Sequence, residues 1–478
     1  MIIFTRELDL KEVLHYKGEM QKDSDLIKEI EFPPRKVWFK TYGCQMNYHD
    51  SERLVSHLKN LNFEETEQQD EADLMIFNTC AVRDLANQKF YSHVGETKRM
   101  KKARDVKIAV GGCIAQTEAK ALLAKYPQLD FAFGTDVIDN ISEMVYRAYS
   151  GEKGFSVTSW DKSENYSIET KISHDSPQAF INIIKGCDKF CSYCIVPFTR
   201  GREKSRKMQE IVEDVRKLVE YQGIQEVTLL GQNVNSFGKE NNESLAELIQ
   251  ELEKINGLYQ IRYTTSHPYD VSDEPIAVHG SSKKLANHLH LPVQSGSNTV
   301  LQRMLREYTV EHYLGLLEKL RKANPNIIIT SDIIAGFPNE TQEEHQDTLK
   351  LLSLAQFDFI FSYTFSARQG TKASRMEDIL TDDLRGKRLR EIQDHQLKIQ
   401  ADIRKQMIGK TFLMLVEDEH TMKGVAKWKG RTSCNRIIHF SGEPGVNYKH
   451  HWVEVEVTDS TALSSQGILK RHIGRTLA

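Results

Sequence analysis

The sequence of 478 residues lacks several features that often identify a protein class. No apolar run approaches the roughly 18 residues that a membrane-spanning helix needs, so we do not expect a membrane protein. The first ten residues carry Arg6, Glu7 and Asp9 and do not resemble a secretory signal. The 64 Lys and Arg residues are balanced by 67 Asp and Glu residues, which argues against a protein that binds nucleic acid indiscriminately through a basic surface. We therefore expect a cytoplasmic protein without a membrane anchor.

Cysteine is scarce, with seven residues in the whole chain. In a reducing compartment an odd number argues against a disulfide framework and favours metal ligation. Three of the seven, Cys187, Cys191 and Cys194, lie on one short loop with the spacing C-x3-C-x2-C. Iron–sulfur clusters normally take four cysteine ligands, so three thiolates on a [4Fe–4S] cluster would leave one iron open to another ligand.

The spacing of this loop resembles the radical S-adenosylmethionine (SAM) signature, in which the amino and carboxylate groups of SAM chelate the open iron. A zinc knuckle is one alternative, but it would need a fourth Cys or His close by, and none follows Cys194 closely. A set of buried free thiols is the other alternative.

Length and composition suggest several domains of the α/β class. Hydrophobic residues make up 39% of the chain, which is enough for buried cores, and the length suggests about three domains of roughly 150 residues. We expect an N-terminal extension over 1–34, an α/β domain over 35–152, a linker over 153–176, a central domain over 177–405 and a C-terminal domain over 406–470.

In the first domain, three apolar stretches are each followed closely by a cysteine, namely Cys44, Cys80 and Cys113. Helical patterns separate these stretches, and strands that alternate with helices predict a parallel sheet. Ligands bind at the edge of such sheets where the strands end. We therefore expect the three thiolates to meet in one crevice and to hold a second, auxiliary cluster with one open iron. For any single cysteine a buried apolar thiol is the common alternative.

The central domain repeats the alternation of strands and helices with longer units and predicts an incomplete, TIM-like (β/α)6 barrel. Its candidate strands are Phe180–Ile184, Glu226–Leu230, Ile261–Thr264, Leu289–Val293, Ile327–Ile334 and Phe357–Thr364. Ligands sit at the carboxyl ends of barrel strands. We expect SAM to be contacted there by Tyr193, Gln232, Ser266, Gln294 and Asp332. For Asp332, a salt bridge to a neighbouring strand is an equally good explanation.

The C-terminal domain shows a period of two, with short strands and glycine turns, and predicts a small β-barrel. One strand mixes an aromatic residue with cations, a combination that suits single-stranded RNA. The candidate RNA contacts are Lys427, Trp428, Lys429, Arg431 and Arg436 in the barrel, and Arg200, Arg202 and Arg206 in a basic run of the central domain. The alternatives are a barrel that holds Trp428 in its core and a basic run that is merely a solvated face.

Together these features resemble the methylthiotransferases, a radical-SAM family with an N-terminal three-cysteine domain, a radical-SAM barrel and a C-terminal TRAM domain. The resemblance covers the chain from about residue 36 to 469. The segments Lys40–Asn47, Asn78–Arg83 and Gly430–Arg436 most resemble the tRNA-modifying branch called MiaB. The Leu-Gly-Cys-Pro-Lys type of first motif found in the ribosomal-protein branch is absent, and so is the Leu-Gly-Cys-Lys-Val-Asn type of the threonylcarbamoyladenosine branch.

The resemblance implies an enzyme that installs a methylthio group at C2 of N6-isopentenyladenosine, just 3′ of the anticodon of tRNA. It implies two [4Fe–4S] clusters and two SAM molecules per turnover. The cluster at Cys187, Cys191 and Cys194 would cleave SAM to a 5′-deoxyadenosyl radical, and the auxiliary cluster would supply sulfur. The implied partners of this monomer are the tRNA anticodon stem-loop, an electron donor such as a flavodoxin or ferredoxin, and cluster-assembly proteins.

Two alternatives to this function remain at the level of the sequence. In the first alternative, the enzyme transfers the methylthio group to another substrate, either threonylcarbamoyladenosine in tRNA or a ribosomal protein. The protein can also be a non-catalytic iron–sulfur protein that binds RNA or senses the redox state.

Overall fold

The computed structural model describes residues 32–82, 84–160, 170, 176–422 and 424–477. Most of the expected extension over 1–34, much of the expected linker over 153–176, and Arg83 lie outside the described residues. The chain divides into two compact units. The first contains the N-terminal region and returns for residues 195–202, and the second contains nearly all the rest of the chain from residue 175.

The first unit is built on a six-stranded parallel sheet with the order β2-β1-β3-β4-β5-β6. The strands are β1 (Arg35–Thr41), β2 (Phe63–Glu65), β3 (Leu74–Thr79), β4 (Lys107–Gly112), β5 (Phe131–Phe133) and β6 (Phe155–Val157). The α-helices are Gln45–Lys59, Asp84–Ala103, Cys113–Lys125, Ile141–Tyr149 and Val196–Arg200.

Both faces of this sheet are covered, as is usual for parallel sheets. Strand β3 is buried along its whole length, and its side chains alternate between two hydrophobic clusters. Met75 and Phe77 belong to one cluster, whereas Leu74 and Ile76 belong to the other. The parallel α/β domain predicted from the sequence is therefore confirmed.

Two features of the structure bear on the expected boundaries of this domain. Strand β6 pairs with β5, so the sheet extends past residue 152. The segment Ile195–Arg202 belongs to the first unit and not to the central domain. Its Ile195 packs into the core of the first unit, and Thr135 Oγ1 donates a hydrogen bond of 2.7 Å to the carbonyl oxygen of Thr199.

The second unit begins with the predicted partial barrel. Strands β7, β10 and β11 form one parallel sheet, and β12, β13 and β14 form another. An isolated parallel bridge between Ile261 and Leu285 links β11 to the segment that leads into β12. The strands are β7 (Gln178–Asn182), β8 (Ile184–Lys185), β9 (Lys204–Ser205), β10 (Glu226–Leu230), β11 (Gln260–Tyr263), β12 (His288–His290), β13 (Ile328–Ala335) and β14 (Phe359–Thr364).

The α-helices of the second unit lie between these strands or follow them. They are Met208–Gln222, Leu245–Glu253, Asp273–Ser281, Asn298–Arg303, Val310–Ala323, Gln342–Ala355 and Asp382–Lys405. Two of them begin with a capping box, in which Ser244 pairs with Glu247 and Thr341 pairs with Glu344. These reciprocal hydrogen bonds satisfy amides that would otherwise lack a partner at a helix start. No helix within the described ranges is long and apolar enough to cross a membrane.

The C-terminal part of the second unit is a closed five-stranded barrel with the order β15-β16-β17-β19-β18. Its strands are β15 (Thr411–Met422), β16 (Val425–Thr432), β17 (Ile437–Ser441), β18 (Trp452–Ser460) and β19 (Ser465–Gly474). The small β-barrel predicted from the sequence is confirmed, although β19 continues beyond the expected boundary at 470.

This small barrel docks on the partial barrel through buried polar contacts. Asp358 accepts from Arg436 Nη2 at 2.5 Å and lies 3.4 Å from Arg404 Nη2. Trp452 Nε1 donates to Gln225 Oε1 at 2.5 Å, and Arg262 Nη2 donates to the carbonyl oxygen of Thr432 at 2.9 Å. Because these groups are buried, the two parts of the second unit pack as one body.

Candidate functional site

The first candidate site lies in the first unit, where three neighbouring strands end. Strands β1, β3 and β4 are adjacent in the sheet. Cys44 immediately precedes the helix Gln45–Lys59, Cys80 follows β3 directly, and Cys113 is the first residue of the helix Cys113–Lys125. The three cysteines, which we call the auxiliary trio, therefore share one edge of the sheet.

Two glycines allow the backbone to approach closely at this edge. Gly43 has a φ of +108°, and a Cβ atom placed on it would lie 2.7 Å from Cys80 Sγ. Gly112 has a φ of +89°, and a Cβ atom there would lie 2.4 Å from the carbonyl oxygen of Thr79. Glycine adopts positive φ without steric penalty. The glycines that precede Cys44 and Cys113 thus allow both of these residues to pack beside the end of β3.

Asn47 organises the surroundings of the auxiliary trio. Its Nδ2 donates to the carbonyl oxygens of Tyr42 at 2.9 Å and Thr79 at 2.8 Å. Its Oδ1 lies 3.7 Å from Cys44 Sγ and accepts from Arg200 Nη2 at 2.9 Å. This one amide connects the ends of two strands to the cysteine edge.

Arg200 is a buried cation beside the same trio. Its guanidinium lies 2.7 Å from Asp50 Oδ2. Burial disfavours the charged form, but Asp50 and the sulfurs of Cys113 and Cys44 outweigh it and raise the pKa of Arg200 well above its ordinary value. Arg200 therefore places a fixed positive charge beside the sulfurs of Cys44 and Cys113.

The second candidate site is the loop that carries Cys187, Cys191 and Cys194, which we call the loop trio. The loop begins at Gly186, with a φ of +76°, whose amide donates to Gln232 Oε1 at 2.6 Å. The amide of Lys189 donates to Cys187 Sγ at 3.4 Å. Burial raises the pKa of Cys187, and the neighbouring sulfurs of Cys194 and Cys191 add to this effect.

The donor chemistry of both trios fits iron–sulfur clusters. All seven cysteines are free thiols. Among the described residues, no three His, Cys, Asp or Glu side chains converge closely enough to hold a single metal ion. An iron–sulfur cluster does not need its cysteines to converge on one point, because each thiolate binds a different iron atom. Each trio therefore offers ligands for three irons of one cluster.

The residues expected to contact SAM lie at the carboxyl ends of the barrel strands or in the cysteine loop. Tyr193 is half-buried and packs edge-on against Phe337. Gln232 accepts the hydrogen bond from Gly186 described above. Ser266 is buried and donates to Asn235 Oδ1 at 2.6 Å, so its hydroxyl hydrogen is used within the protein.

Gln294 and Asp332 lie on adjacent segments of the barrel. The amide of Gln294 donates to the carbonyl oxygen of Asp332 at 2.9 Å, and Gln294 has a φ of +75°. Asp332 Oδ1 lies 3.5 Å from Nε2 of His290 on the neighbouring strand β12. This contact joins Asp332 to an adjacent strand, as the salt-bridge alternative expects, and does not exclude a contact with SAM.

Four of the eight residues predicted to contact RNA are buried, and for Trp428 this agrees with the alternative that the small barrel holds it in its core. Arg200 pairs with Asp50, Arg206 with Asp214 at 2.7 Å, and Arg436 with Asp358. Trp428 packs against Tyr448 in the core of the small barrel. A buried charge needs a partner, and these arginines find theirs in carboxylates elsewhere in the sequence.

The other four predicted RNA contacts remain accessible to different degrees. Arg202 is exposed, and Lys427, Lys429 and Arg431 are partly exposed. Strand β16 alternates from Lys427 onward, so that these three side chains point outward while the residue that follows each of them is buried. Arg431 Nε also lies 2.6 Å from Glu417 Oε1, and Lys427 Nζ donates to Gln466 Oε1.

Sequence analysis missed Arg306, which the structure brings to the loop trio. Its Nη1 lies 3.3 Å from Cys191 Sγ, and the side chain is buried. His267, on the loop after β11, was also not assigned a role. Its ring packs against Tyr308, and burial and the nearby charge of Arg306 lower its pKa to about 2. No spacing rule connects Arg306 with the cysteine loop, since it lies more than a hundred residues away in sequence.

Family models match two parts of the chain. Residues 36–134 match the model described as uncharacterized protein family UPF0004, and residues 181–352 match the radical SAM superfamily. The first range contains the auxiliary trio, and the second contains the loop trio.

A likeness to solved structures supports the fold. A structure of the radical S-adenosylmethionine methyltransferase TsrM from Kitasatospora setae, with tryptophan and a SAM analogue bound, matches with a TM-score of 0.55. The match has 14% identity and covers 82% of this chain and 79% of that chain.

Relatives of much higher identity span almost the whole chain. The tRNA-2-methylthio-N(6)-dimethylallyladenosine synthase of Carboxydothermus hydrogenoformans is 41% identical over 442 residues, which cover 91% of this chain and 99% of the relative. The enzyme of the same name from Bdellovibrio bacteriovorus is 40% identical over 426 residues, which cover 89% of this chain and 93% of the relative. The chain therefore belongs to the radical-SAM family of tRNA-2-methylthio-N(6)-dimethylallyladenosine synthases.

Proposed function

We propose that this protein installs a methylthio group at C2 of N6-isopentenyladenosine in tRNA by radical-SAM chemistry. It is an enzyme that uses SAM and iron–sulfur chemistry. The observation that carries the proposal is the presence of two separate cysteine trios, one at the strand ends of each α/β part of the chain. A radical enzyme that only cleaves SAM needs one trio, whereas insertion of sulfur needs a second group to donate it.

The target bond explains why such chemistry is needed. The C2–H bond of adenine is neither acidic nor readily displaced by polar reactions, so a hydrogen-abstracting species is required. When bound, the two clusters supply reductive cleavage of SAM at the loop trio and a sulfur atom at the auxiliary trio. The chain itself provides the thiolates: Cys187, Cys191 and Cys194 in one trio, and Cys44, Cys80 and Cys113 in the other.

We assign the binding of SAM to the mouth of the partial barrel. Gln232 fixes the start of the cysteine loop through Gly186, and its amide nitrogen is a candidate donor to the SAM carboxylate. Tyr193, Gln294 and Asp332 complete the proposed contacts. Ser266 can contribute its hydroxyl oxygen as an acceptor, because its hydrogen is already donated to Asn235.

We assign the binding of the tRNA anticodon stem-loop to the outward cations of the small barrel. Lys427, Lys429 and Arg431 lie on one face of β16, and Arg202 is an exposed cation of the first unit. Cations position the phosphate backbone, while the target base must leave its stack before chemistry at C2 is possible.

The remaining parts of the proposal follow from this chemistry. Each turnover consumes two SAM molecules, one for the methyl group and one for the radical. The electron comes from a small redox protein such as a flavodoxin or ferredoxin, and assembly proteins deliver two [4Fe–4S] clusters. We expect the protein to act as a monomer in the cytoplasm, where its tRNA substrate is found and thiols stay reduced.

Anaerobic turnover with a choice of substrates tests the proposal. The protein, SAM and a reductant are incubated in parallel with isopentenylated tRNA, threonylcarbamoylated tRNA and ribosomal protein, and the products are identified by mass spectrometry. We expect a methylthio group only on the isopentenylated tRNA. Modification of either other substrate would replace the proposed specificity, and failure to consume SAM would leave a non-catalytic iron–sulfur protein.

Cysteine variants separate the roles of the two trios. Replacing Cys187, Cys191 and Cys194 with Ala should abolish formation of 5′-deoxyadenosine. Replacing the auxiliary trio with Ala should leave that reaction largely intact but stop sulfur insertion. Cys434→Ala is the matched control because this cysteine lies in the small barrel outside both trios. Methylthiolation by the auxiliary-trio variant would contradict the sulfur-donor role.

A further inference from the structure

All three nitrogens of the Arg306 guanidinium donate hydrogen bonds, and one of these bonds goes to a cysteine of the loop trio. Nη1 donates to Cys191 Sγ at 3.3 Å, Nη2 donates to the carbonyl oxygen of Pro292 at 2.8 Å, and Nε donates to the hydroxyl of Tyr308 at 2.9 Å. The residue is 4% exposed. Its position is therefore fixed, and one of its N–H groups points at a cluster ligand.

The charge of Arg306 has no carboxylate partner within the described part of the chain. Its hydrogen bonds go to a sulfur, a carbonyl and a phenol, and the groups that raise its pKa against burial are Tyr308, Tyr193 and Cys191. Other buried arginines of the second unit differ, since Arg206 and Arg388 each pair with a carboxylate. A buried cation without a counter-charge is strongly disfavoured. The counter-charge of Arg306 is therefore to be sought in the group that the loop trio binds, toward which Nη1 points across Cys191 Sγ.

The backbone holds Arg306 in this place by an unusual conformation. Leu305 and Glu307, on either side of it, have φ values of +59° and +54°. Such left-handed conformations are uncommon for residues other than glycine and tend to occur at functional sites. The cysteine loop is tied to the same segment, because the amide of Ser192 donates to the carbonyl oxygen of Met304 at 2.9 Å.

We propose that Arg306 is the built-in counter-cation of the cluster at the loop trio and that its hydrogen bond to Cys191 raises the reduction potential of that cluster. The inference rests on the proposed function insofar as a cluster binds to Cys187, Cys191 and Cys194. Reduction transfers one electron from a low-potential donor to the cluster and adds one negative charge at a buried site. A fixed cation and a hydrogen bond to a ligand sulfur both stabilise the reduced state relative to the oxidised state. Arg306 itself keeps its protons and forms no covalent bond.

The test measures a reduction potential in the full-length chain. Cys44, Cys80 and Cys113 are replaced with Ala so that only the cluster of the loop trio is present. The protein is loaded anaerobically with iron and sulfide, and the reduced cluster is followed by electron paramagnetic resonance during a potentiometric titration. Arg306→Gln removes the charge, Arg306→Lys keeps it, and Tyr308→Phe removes the phenol that orients Nε. Arg206→Gln is the control, because Arg206 is buried in the same unit but pairs with Asp214.

The charge-removing variant should show the largest effect. At a fixed applied potential we expect the ratio of reduced to oxidised cluster to fall about tenfold in Arg306→Gln, which corresponds to about 59 mV for one electron. Arg306→Lys and Tyr308→Phe should shift the potential in the same direction by less, and Arg206→Gln should not shift it.

The outcomes distinguish this inference from the function on which it rests. If the parent chain takes up no cluster, the assignment of the loop trio fails, and with it the proposed function. If the parent takes up a cluster and Arg306→Gln titrates at the parent's potential, the role of Arg306 is overturned. If Arg306→Gln does not hold a cluster, Arg306→Lys and Tyr308→Phe decide the test, because both disturb the hydrogen bond to Cys191. Parental potentials in both variants would then overturn the proposed role of Arg306. A shift as large in Arg206→Gln would equally contradict it, since any buried arginine would then serve.

Discussion

At the scale of single residues, the structure separates cations that bind within the fold from cations that remain outside. Arg200, Arg206 and Arg436 look like surface charges in the sequence, yet each pairs with a carboxylate that lies elsewhere in its unit. Their partners are Asp50, Asp214 and Asp358. Sequence patterns report local charge, whereas burial of an arginine depends on the position of a carboxylate that only the fold supplies. This is why the burial of these three arginines could not be predicted from the sequence.

The burial of His279 predicts how the stability of the folded protein depends on pH. Burial lowers its pKa to about 4 from the ordinary 6.5, so the unfolded chain binds this proton more readily than the folded chain. As the pH falls from 6.5 to 4, His279 should lower the free energy of unfolding by about 3 kcal/mol, with no contribution above pH 6.5.

Thermal unfolding measured across this pH range checks the prediction. His279→Gln can keep the hydrogen bond to the Tyr263 hydroxyl, which lies 2.6 Å from His279 Nε2, and should show a shallower loss of stability. His312→Gln is the control because His312 is exposed. Equal slopes in the parent and in His279→Gln would contradict the assigned cause.

At the scale of elements, the sequence predicted the three strands that each precede a cysteine of the auxiliary trio. It did not predict two of the short strands of the same sheet. The three apolar stretches before Cys44, Cys80 and Cys113 are long enough to identify β1, β3 and β4. By contrast, β2 and β6 have only three residues each, and such short segments carry no periodic signal. The positions of the auxiliary trio thus followed from the sequence, whereas the full extent of the sheet did not.

The glycine before Cys113 provides a prediction at this scale. Gly112→Ala would place a Cβ atom 2.4 Å from the backbone oxygen of Thr79, so the start of the helix Cys113–Lys125 must shift. We expect this variant to lose the proposed auxiliary cluster and to retain about half of the iron of the parent, since only one of the two proposed [4Fe–4S] clusters would remain. Gly151→Ala is a matched control, because Gly151 also has a positive φ of +97° but faces open space. Full iron content in Gly112→Ala would show that this close approach is not required.

Strand β16 provides a second prediction, about RNA. Lys427 and Lys429 face outward, whereas Trp428 between them faces the core. Replacing both lysines with Gln should weaken tRNA binding and reduce the slope of log affinity against log salt by about 0.7–0.9 for each phosphate that the protein no longer neutralises. Trp428→Phe should leave that slope unchanged and lower the melting temperature instead. An unchanged slope in the double lysine variant would remove β16 from the RNA-binding surface.

At the scale of the whole molecule, the small barrel is part of the second unit and not a loosely tethered module. Its Arg436 shares Asp358 with Arg404, and all three side chains are buried. Period-two patterning predicted the barrel itself, but nothing in the sequence predicted that one carboxylate joins it to the partial barrel. Docking depends on residues that lie far apart in the sequence.

Removing the charge of Asp358 tests this docking. Asp358→Asn leaves two buried arginines without their carboxylate, and loss of one partner of a buried pair typically destabilises a protein by about 3–5 kcal/mol. We expect a lower unfolding temperature by calorimetry and faster amide exchange along β17. Asp382→Asn, which alters an exposed carboxylate at a helix start, should have little effect. Unaltered exchange in β17 would mean that the other contacts suffice to hold the barrel.

The excursion of residues 195–202 also limits how this protein can be dissected. The chain leaves the second unit directly after Cys194, contributes Arg200 to the surroundings of the auxiliary trio, and resumes the second unit at Glu203. No single break in the polypeptide can separate the two units with both intact. A cut before or after this octapeptide either leaves it attached to the second unit or separates it from Cys194, the last cysteine of the loop. Split-gene expression and exchange of either half between relatives should therefore fail unless the octapeptide is supplied with the first unit.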